Sequence, residues 1–238
     1  MSKTIVISLG GSLISLERGK VNVNYLKKLC RFVIQYIKST EDCRFIIIVG
    51  GGKIARDWRD AGVRLKVKTK DNFDWIGIKA THLNAELVRA IFGKLAHPKV
   101  IVDPSKKINF KERILVAGGW KPGFSTDYDA AFLAGRFGAE EVINLSNIDF
   151  IYDKNPKKFK HARPLACLSW KEYFKIVGKK WSPGANFPFD PVASCLAQKK
   201  GIKVAVLDGW NLTNFEAFLK GKNFKGTVMG SGSCECCA

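Results

Sequence analysis

The sequence of 238 residues lacks any apolar run near the roughly 20 residues that a membrane-spanning helix needs. Its first residues, MSKTIVISLGGSLI, alternate like a strand and lack the basic segment, apolar stretch and cleavage site of an export signal. Because 46% of the residues are hydrophobic, the chain can bury a sizeable core. We therefore expect a cytoplasmic protein without a membrane anchor.

The cysteines lack the spacing of a metal site or a disulfide framework. Four of them stand in apolar or helical contexts, where buried free thiols are expected: Cys30, Cys43, Cys167 and Cys195. The other three lie in the final segment GSGSCECCA, whose Gly-Ser start is typical of a flexible tail over residues 231–238. The alternative is a zinc site in this tail, which would need a fourth ligand. No metal-binding residues are predicted.

Acidic residues are few, since 21 Asp and Glu stand against 40 Lys and Arg, which gives a net charge of +19. Such an excess makes a polyanionic partner an alternative. However, the lysines are spread over many segments rather than gathered in one arm or basic helix, a pattern typical of solvated faces. We expect a few of them to serve a nucleotide, and we expect no nucleic acid partner.

Strand-like and helix-like segments take turns along the chain. Strands are expected at TIVISL, RFIIIV, KVIVD, RILVA, EVINLS and KVAVLDG, and helices at YLKKLCRFVIQYI, THLNAELVRAIFG, residues 126–137 and SWKEYFKIVG. Ser169 with Glu172, and Thr213 with Glu216, have capping-box spacing, and Pro191 suits the first turn of a helix. The alternation predicts an α/β fold with a mostly parallel sheet and helices on both faces.

Three glycine turns follow apparent strands: residues 10–12, residues 50–52, and residues 118–119 leading to FSTDYDAA. In open parallel sheets ligands collect at the carboxyl ends of the strands, so these turns are expected to converge on one crevice. A glycine turn before a helix suits a phosphate, because the helix N-terminus presents free N–H groups. A tight connection without a ligand is the alternative. The absence of GxxxxGK[ST] and GxGxxG excludes an ordinary P-loop and a dinucleotide fingerprint.

The three histidines, His82, His97 and His161, form no arrangement with a nucleophile that the sequence reveals. Phosphoryl transfer needs no such nucleophile, because positioning and charge neutralisation supply most of its catalysis. Ser125, Thr126 and Asp127 place two hydroxyls and a carboxylate at a helix start in the third turn. The alternative is that Ser125 or Thr126 caps that helix and that Asp127 favours its dipole.

Six segments together resemble the amino acid kinase superfamily, and most of all its archaeal-type uridylate kinase branch. They are VISLGGSLI, VGGGKIARDW, DWIGIKATHLNAELV, AGGWKPGFSTDYDAA, NLSNIDFIYDKNP and FDPVASCLA. The resemblance covers about residues 3–230. It implies a three-layer αβα sandwich and transfer of the γ-phosphate of ATP to UMP with Mg²⁺. It also implies a single domain over residues 1–238, with an acceptor lobe at about 1–140, a donor-nucleotide lobe at about 141–230, and assembly into a homo-oligomer, usually a hexamer.

The resemblance also implies roles for individual residues. The residues expected to be catalytic are Asp127, Arg56 and Ser12. The residues expected to bind the acceptor are Gly51, Gly52, Arg56, Asp74, Ser125 and Thr126. The residues expected to bind the donor nucleotide are Gly10, Gly11, Ser12, Asn147, Asp149, Tyr152, Asp153 and Lys157, with Lys158 as the alternative to Lys157.

The chain departs from the resembled pattern at a few positions. Phe150 stands where a glycine is usual in the donor turn, Asn155 where an aspartate is common, and Trp120 with Lys121 makes the third turn bulkier. Three alternatives stay open: a kinase of the same fold with a different acceptor, a non-catalytic protein that stores or senses an oxyanion or nucleotide, and a nucleic-acid-binding protein.

Overall fold

A mixed β-sheet of seven strands forms the middle of the molecule in the computed structural model, which describes residues 3–15, 17, 20–178 and 187–230. A separate pair of short strands forms a hairpin beside it. The strands, in chain order, are β1 (Lys3–Leu9), β2 (Cys43–Val49), β3 (Ile114–Ala117), β4 (Glu141–Ser146), β5 (Ile151–Tyr152), β6 (Pro164–Leu165), β7 (Cys167–Ser169), β8 (Lys203–Asp208) and β9 (Thr227–Gly230).

Helices connect most of these strands. In chain order they are α1 (Gly11–Ile14), α2 (Val23–Ser39), α3 (Gly52–Arg64), α4 (Lys70–Phe92), α5 (Thr126–Arg136), α6 (Trp170–Val177), α7 (Pro191–Lys200) and α8 (Leu212–Leu219). A short 3₁₀ turn, Gly93–Leu95, follows α4.

The strand order of the sheet is β3-β2-β1-β4-β8-β9-β7. The pairs from β3 to β8 are parallel, whereas β9 runs antiparallel to β8 and pairs in parallel with β7. The strand order reverses at β1, because β2 pairs with one edge of β1 and β4 pairs with the other. A crevice at the carboxyl ends of β1 and β4 is the ligand position that this topology predicts.

The strands alternate their side chains between two apolar layers, as a sheet covered on both faces requires. On β1, Ile5, Ile7 and Leu9 belong to one buried cluster, and Val6 belongs to the other. Helices α2, α4 and α8 cover the first face, while α5, α6 and α7 cover the second. The three-layer αβα sandwich expected from the sequence is confirmed.

Several local predictions are confirmed and two are wrong. Ser169 and Glu172 form the expected capping box, and Pro191 lies in the first turn of α7. The segment KVIVD is not a strand, because only Ile101 makes an isolated bridge to β3. Thr213 does not cap α8, because the side chain of Asn211 accepts the N–H of Asn214 and starts the helix earlier.

The expectation of buried thiols holds for only part of the group. Cys43 is buried, Cys30 and Cys167 are half-buried, and Cys195 is exposed on α7. Cys195 was therefore wrongly expected in the core. The tail over residues 231–238, with its alternative of a zinc site, lies outside the described residues. Within those residues, no helix is long and apolar enough to cross a membrane.

Candidate active site

The first two glycine turns pack directly against each other at the end of β1. Gly10 donates its N–H to the carbonyl of Leu145 at the end of β4, at 2.8 Å. A Cβ on Gly11 would lie 2.2 Å from the amide nitrogen of Gly52, a distance that no side chain can take. Gly52 has a φ of +63° and opens α3. The backbone therefore requires glycine at both positions.

Side chains of α4 join the second glycine turn to the third. The amide of Asn84, which is buried, donates to the carbonyls of Gly50 at 2.9 Å and of Gly51 at 3.1 Å. Three residues earlier on the same helix, the hydroxyl of Thr81 accepts the N–H of Gly119 at 2.7 Å. The three turns thus meet in one region, as the sequence predicted.

Asp127 lies where the third turn meets the end of β1. Its Oδ1 accepts a hydrogen bond from the hydroxyl of Ser8 at 2.7 Å, and its Oδ2 accepts the N–H of Asp190 at 3.1 Å. Burial raises the pKa of Asp127 to about 6, the bond from Ser8 opposes that rise, and the nearby charge of Asp190 adds to it. At neutral pH this carboxylate is therefore mostly ionised.

Ser125, and not Asp127, caps the N-terminus of α5. The hydroxyl of Ser125 accepts the N–H of Tyr128 at 3.2 Å, and Thr126 is the first residue of the helix. Asp127 has its hydrogen bonds elsewhere, with β1 and with the start of α7. The capping alternative is therefore confirmed for Ser125, whereas Asp127 lies in the first turn and does not cap the helix.

The remaining residues expected on the acceptor side lie on α3 and α4. Arg56 is exposed, one turn beyond Gly52, and Ser12 is half-buried in α1. Asp74 lies in the N-terminal part of α4, where its Oδ2 accepts the N–H of Gly123 at 3.0 Å. Asp74 therefore contacts the third turn, and Arg56 projects from the helix that follows the second.

The residues expected on the donor side lie in the turn after β4 and in the β5–β6 hairpin. Asn147 and Asp149 are exposed, and Asp149 accepts hydrogen bonds from the hydroxyl of Tyr152 at 3.1 Å and the N–H of Phe150 at 3.0 Å. Burial and the Asp149 carboxylate raise the pKa of Tyr152. The carboxylate of Asp149 thus makes its hydrogen bonds within the turn that contains it.

The rest of the hairpin is also held by local contacts. Asp153 accepts the N–H of Arg163 at 2.8 Å, and the N–H of Lys157 donates to the side chain of Asn155 at 3.0 Å. The side chains of Lys157 and Lys158 are exposed. Among the described residues, hydrogen bonds join this hairpin to β9 and not to the glycine turns. The donor assignments stay predictions.

Comparisons with known proteins agree with this geometry. The model of the amino acid kinase family matches residues 3–208. The chain belongs to the amino acid kinase family. It is 34% identical to a protein named uridylate kinase from Pyrococcus abyssi, over 94% of this chain and 98% of that one. It is 36% identical to one from Methanoregula boonei, over 92% and 93% of the two chains.

Solved structures support the same fold. Uridylate kinase from Archaeoglobus fulgidus superposes with a TM-score of 0.79 at 31% identity, over 96% of this chain and all of that chain. The UMP kinase from Bacillus anthracis also gives a TM-score of 0.79, over 97% of each chain, but its 17% identity bears on the fold alone.

Three residues of this site were missed by sequence reasoning. Ser8 precedes the first glycine turn by two residues, a spacing that could have marked it as a strand-end hydroxyl. Asp190 caps α7 through Oδ1, which accepts the N–H groups of Val192 and Ala193, and its own N–H reaches Asp127. Asp129 is buried, and no sequence signal separated it from the other carboxylate at the start of α5.

Proposed function

We propose that this chain is an ATP-dependent uridylate kinase that transfers the γ-phosphate of ATP to UMP and releases UDP and ADP. The observation that carries the proposal is the position of Asp127, where the start of α5 after the third glycine turn meets the end of β1 and the start of α7. The names of relatives that are 34% and 36% identical over more than nine-tenths of the chain support the same acceptor. Such a kinase works where ATP and UMP are present, so we propose a cytoplasmic location.

The acceptor phosphate is proposed to lie at the start of α3. In the described part of the chain, no side chain caps this helix and its first turn holds no acidic residue, so its N-terminal charge is available to an anion. Gly51 and Gly52 let the phosphate approach the backbone, and Arg56 supplies a charge-assisted contact. Asp74 is proposed to accept hydrogen bonds from the ribose hydroxyls.

Transfer is proposed to take place beside Asp127. Ser125 and Thr126 bring hydroxyls to the same helix start, and Asp127 orients the reacting groups from a carboxylate that Ser8 and Asp190 hold in place. The glycines and Ser12 after β1 face the donor phosphates. We propose that the donor nucleotide lies along Asn147, Asp149, Tyr152 and Asp153, with Lys157 or Lys158 reaching its phosphates.

Asp127 fits a magnesium ion that arrives with ATP. Each of its oxygens has one hydrogen bond from a donor and retains capacity for a further contact. Mg²⁺ is usually bound through one or two carboxylates together with substrate phosphates, and it neutralises charge that develops during transfer. We propose that the ion is held mainly by the nucleotide phosphates, with Asp127 as a protein contact.

An exposed apolar surface on α3 and α4 supports the proposal of a homo-oligomer. Trp58 is 67% exposed and Leu83 is 62% exposed, and the groove beside them has a volume of about 630 Å³. Exposed patches of this kind mark interaction sites in soluble proteins. We propose that a second copy covers this surface. A Leu83→Glu variant that stays as large as the wild type in light scattering would contradict this.

The acceptor is tested by a coupled assay of ADP release with ATP and Mg²⁺. UMP, CMP, dTMP, AMP and small phosphorylated or carboxylated acceptors are compared at equal concentration. We expect the highest kcat/KM with UMP. Turnover with another acceptor would show a different kinase of the same fold, and ATP binding without turnover on any acceptor would favour a storage or sensor protein.

A further inference from the structure

Residues 119–124, which we call the Trp120 loop, are held by side chains from two different helices. On the α4 side, Thr81 accepts the N–H of Gly119, and the Nε2 atom of His82 lies 2.8 Å from the carbonyl oxygen of the same glycine. Further along the loop, Asp74 accepts the N–H of Gly123. These contacts fix both ends of the loop against α4.

Asp129 holds the middle of the loop from the other side. Its Oδ2 accepts the N–H of Trp120 at 3.0 Å. The residue is fully buried, and Oδ1 has no hydrogen-bond partner in the described part of the chain. Burial raises the pKa of Asp129 to about 8, and the charge of Asp127 adds to the rise. A buried carboxyl group with one unpaired oxygen destabilises a fold, and an apolar side chain of similar size would avoid that cost.

The Trp120 loop carries an aromatic surface with a positive charge above it. The ring of Trp120 stacks on Phe124, with centroids 5.6 Å apart at 21°, and also contacts Phe132 at 5.7 Å. The ammonium group of Lys121 lies 4.1 Å from the centroid of the Trp120 ring. Trp120 is half-buried, so part of its indole is accessible.

The position of the loop connects it to the acceptor. The side chain of Asp74 accepts a hydrogen bond from the loop, and the loop leads directly into Ser125 and Thr126. All three residues are proposed to contact the acceptor, so the loop lies beside the proposed acceptor site. A planar indole is a suitable surface for a planar nucleobase, because aromatic rings stack favourably. Since a buried carboxyl group with one unpaired oxygen is unfavourable for folding alone, a role in function accounts for Asp129.

We propose that Asp129 is a positioning residue for the acceptor site: through its hydrogen bond to the backbone of Trp120 it holds the Trp120 loop as the wall against which the acceptor's nucleobase packs. This inference rests on the proposed function. Asp129 itself touches the loop and not the substrate. Its loss should therefore weaken acceptor binding while leaving donor binding unchanged.

The experiment compares Asp129→Val, Asp129→Asn and Trp120→Ala with the wild type in steady-state kinetics, varying UMP and ATP separately. Valine removes the acceptor for the N–H of Trp120, whereas asparagine keeps an oxygen there. We expect Asp129→Val to raise the KM for UMP roughly tenfold, the effect of losing one hydrogen bond that holds the loop in its binding position. The KM for ATP should stay unchanged, Asp129→Asn should stay close to the wild type, and Trp120→Ala should raise the KM for UMP as well.

The double variant Trp120→Ala/Asp129→Val tests whether the two residues act together. We expect its KM for UMP to rise by less than the product of the two single effects, because both changes loosen the same contact. Glu141→Val is the matched control, since Glu141 is a half-buried carboxylate at the opposite end of β4, and it should change neither KM.

Melting temperatures of all variants identify any loss of fold. We expect Asp129→Val to melt no lower than a few degrees below the wild type. If it unfolds, Asp129→Leu, which also removes the acceptor for the N–H of Trp120, takes its place in the comparison.

Three results would overturn the inference. The first is an unchanged KM for UMP in both Asp129→Val and Trp120→Ala, and the second is an equal rise of the KM for UMP and the KM for ATP in Asp129→Val. The third is a KM for UMP in the double variant that rises by the full product of the two single effects. The wild type decides the proposed function separately. If it turns over another acceptor instead of UMP, the same comparison is made with that acceptor.

Discussion

The hydroxyl of Ser8 donates a hydrogen bond of 2.7 Å to Asp127, which is 119 residues away in the chain. The second carboxylate oxygen accepts the N–H of Asp190, at the start of another helix. Asp127 is therefore fixed by two elements besides its own. A group held in this way is suited to orient reacting atoms, because little of its freedom remains to be lost during the reaction.

Asp127→Asn tests whether this carboxylate acts in transfer. If it orients the acceptor phosphate and the cation, we expect kcat to fall by roughly 10²-fold or more, equivalent to about 2.7 kcal/mol of transition-state stabilisation. ATP affinity and the melting temperature should stay close to those of the wild type, because the amide keeps the shape of the side chain. Turnover, calorimetric ATP binding and melting are measured together, and near-normal turnover would contradict the catalytic role.

Ser8→Ala should change the pH dependence of turnover. The hydrogen bond from Ser8 favours the ionised form of Asp127 and so opposes the rise of its pKa to about 6. Removing the hydroxyl should raise that pKa further, so the acidic limb of the kcat profile should move to higher pH. An unchanged acidic limb would show that the titration of Asp127 does not control turnover. Ser39→Ala, at the end of α2, serves as the control.

Arg56→Ala should weaken acceptor binding. Loss of a charge-assisted contact to a phosphate costs on the order of 1.5–3 kcal/mol, so the KM for UMP should rise roughly tenfold to a hundredfold. Arg64→Ala is the matched control, because Arg64 is an exposed arginine in the last turn of the same helix. Equal KM values for UMP in the two variants would show that Arg56 does not contact the acceptor.

Phe150→Gly tests the altered turn on the donor side. Phe150 is half-buried and its ring contacts Tyr152 at 6.5 Å, edge to face. If glycine restores the usual turn, calorimetry should show ATP binding that is unchanged or tighter. Phe159→Gly, an exposed phenylalanine on the same hairpin, should have no effect. A large loss of ATP affinity confined to Phe150→Gly would show that this chain uses the phenylalanine as a donor contact.

The stability of the protein should depend on pH through Asp129. Its pKa is raised from the usual 3.8 to about 8, so the folded state holds the proton more tightly than the unfolded chain does. This contribution is favourable at low pH and is lost as pH rises between these two values. We expect the melting temperature of Asp129→Asn, relative to that of the wild type, to increase from pH 5 to pH 8. A constant difference over this range would contradict the raised pKa.

Much of the fold could be predicted because the apolar pattern is strong where strands are fully buried. The runs in β1 and β2 and the start of α3 after the second glycine turn all lie where the sequence put them. KVIVD failed because its apolar residues pair with β3 only at Ile101. Strand β9 was not expected, because its four residues are too few for a pattern to show.

The candidate site could be predicted in part, and the reason for the rest is physical. Glycines and a helix-start carboxylate are visible in the sequence, so the turns and Asp127 could be named. Ser8 and Asp190 matter because the sheet and α7 bring them to Asp127 from distant parts of the chain, which spacing cannot reveal. Asp129 differs from Asp127 only in the burial that the fold gives it.

The contact between Gly11 and Gly52 has a meaning for how relatives of this protein are classified. A methyl group at either position would collide with the backbone of the other turn, at 2.2 Å, whether or not a nucleotide is bound. An inactive descendant of this fold would have to keep both glycines in order to fold. The glycine signature therefore diagnoses ancestry. If Asp127 acts in transfer as we propose, loss of its carboxylate or of its Ser8 donor identifies a relative that has given up phosphoryl transfer.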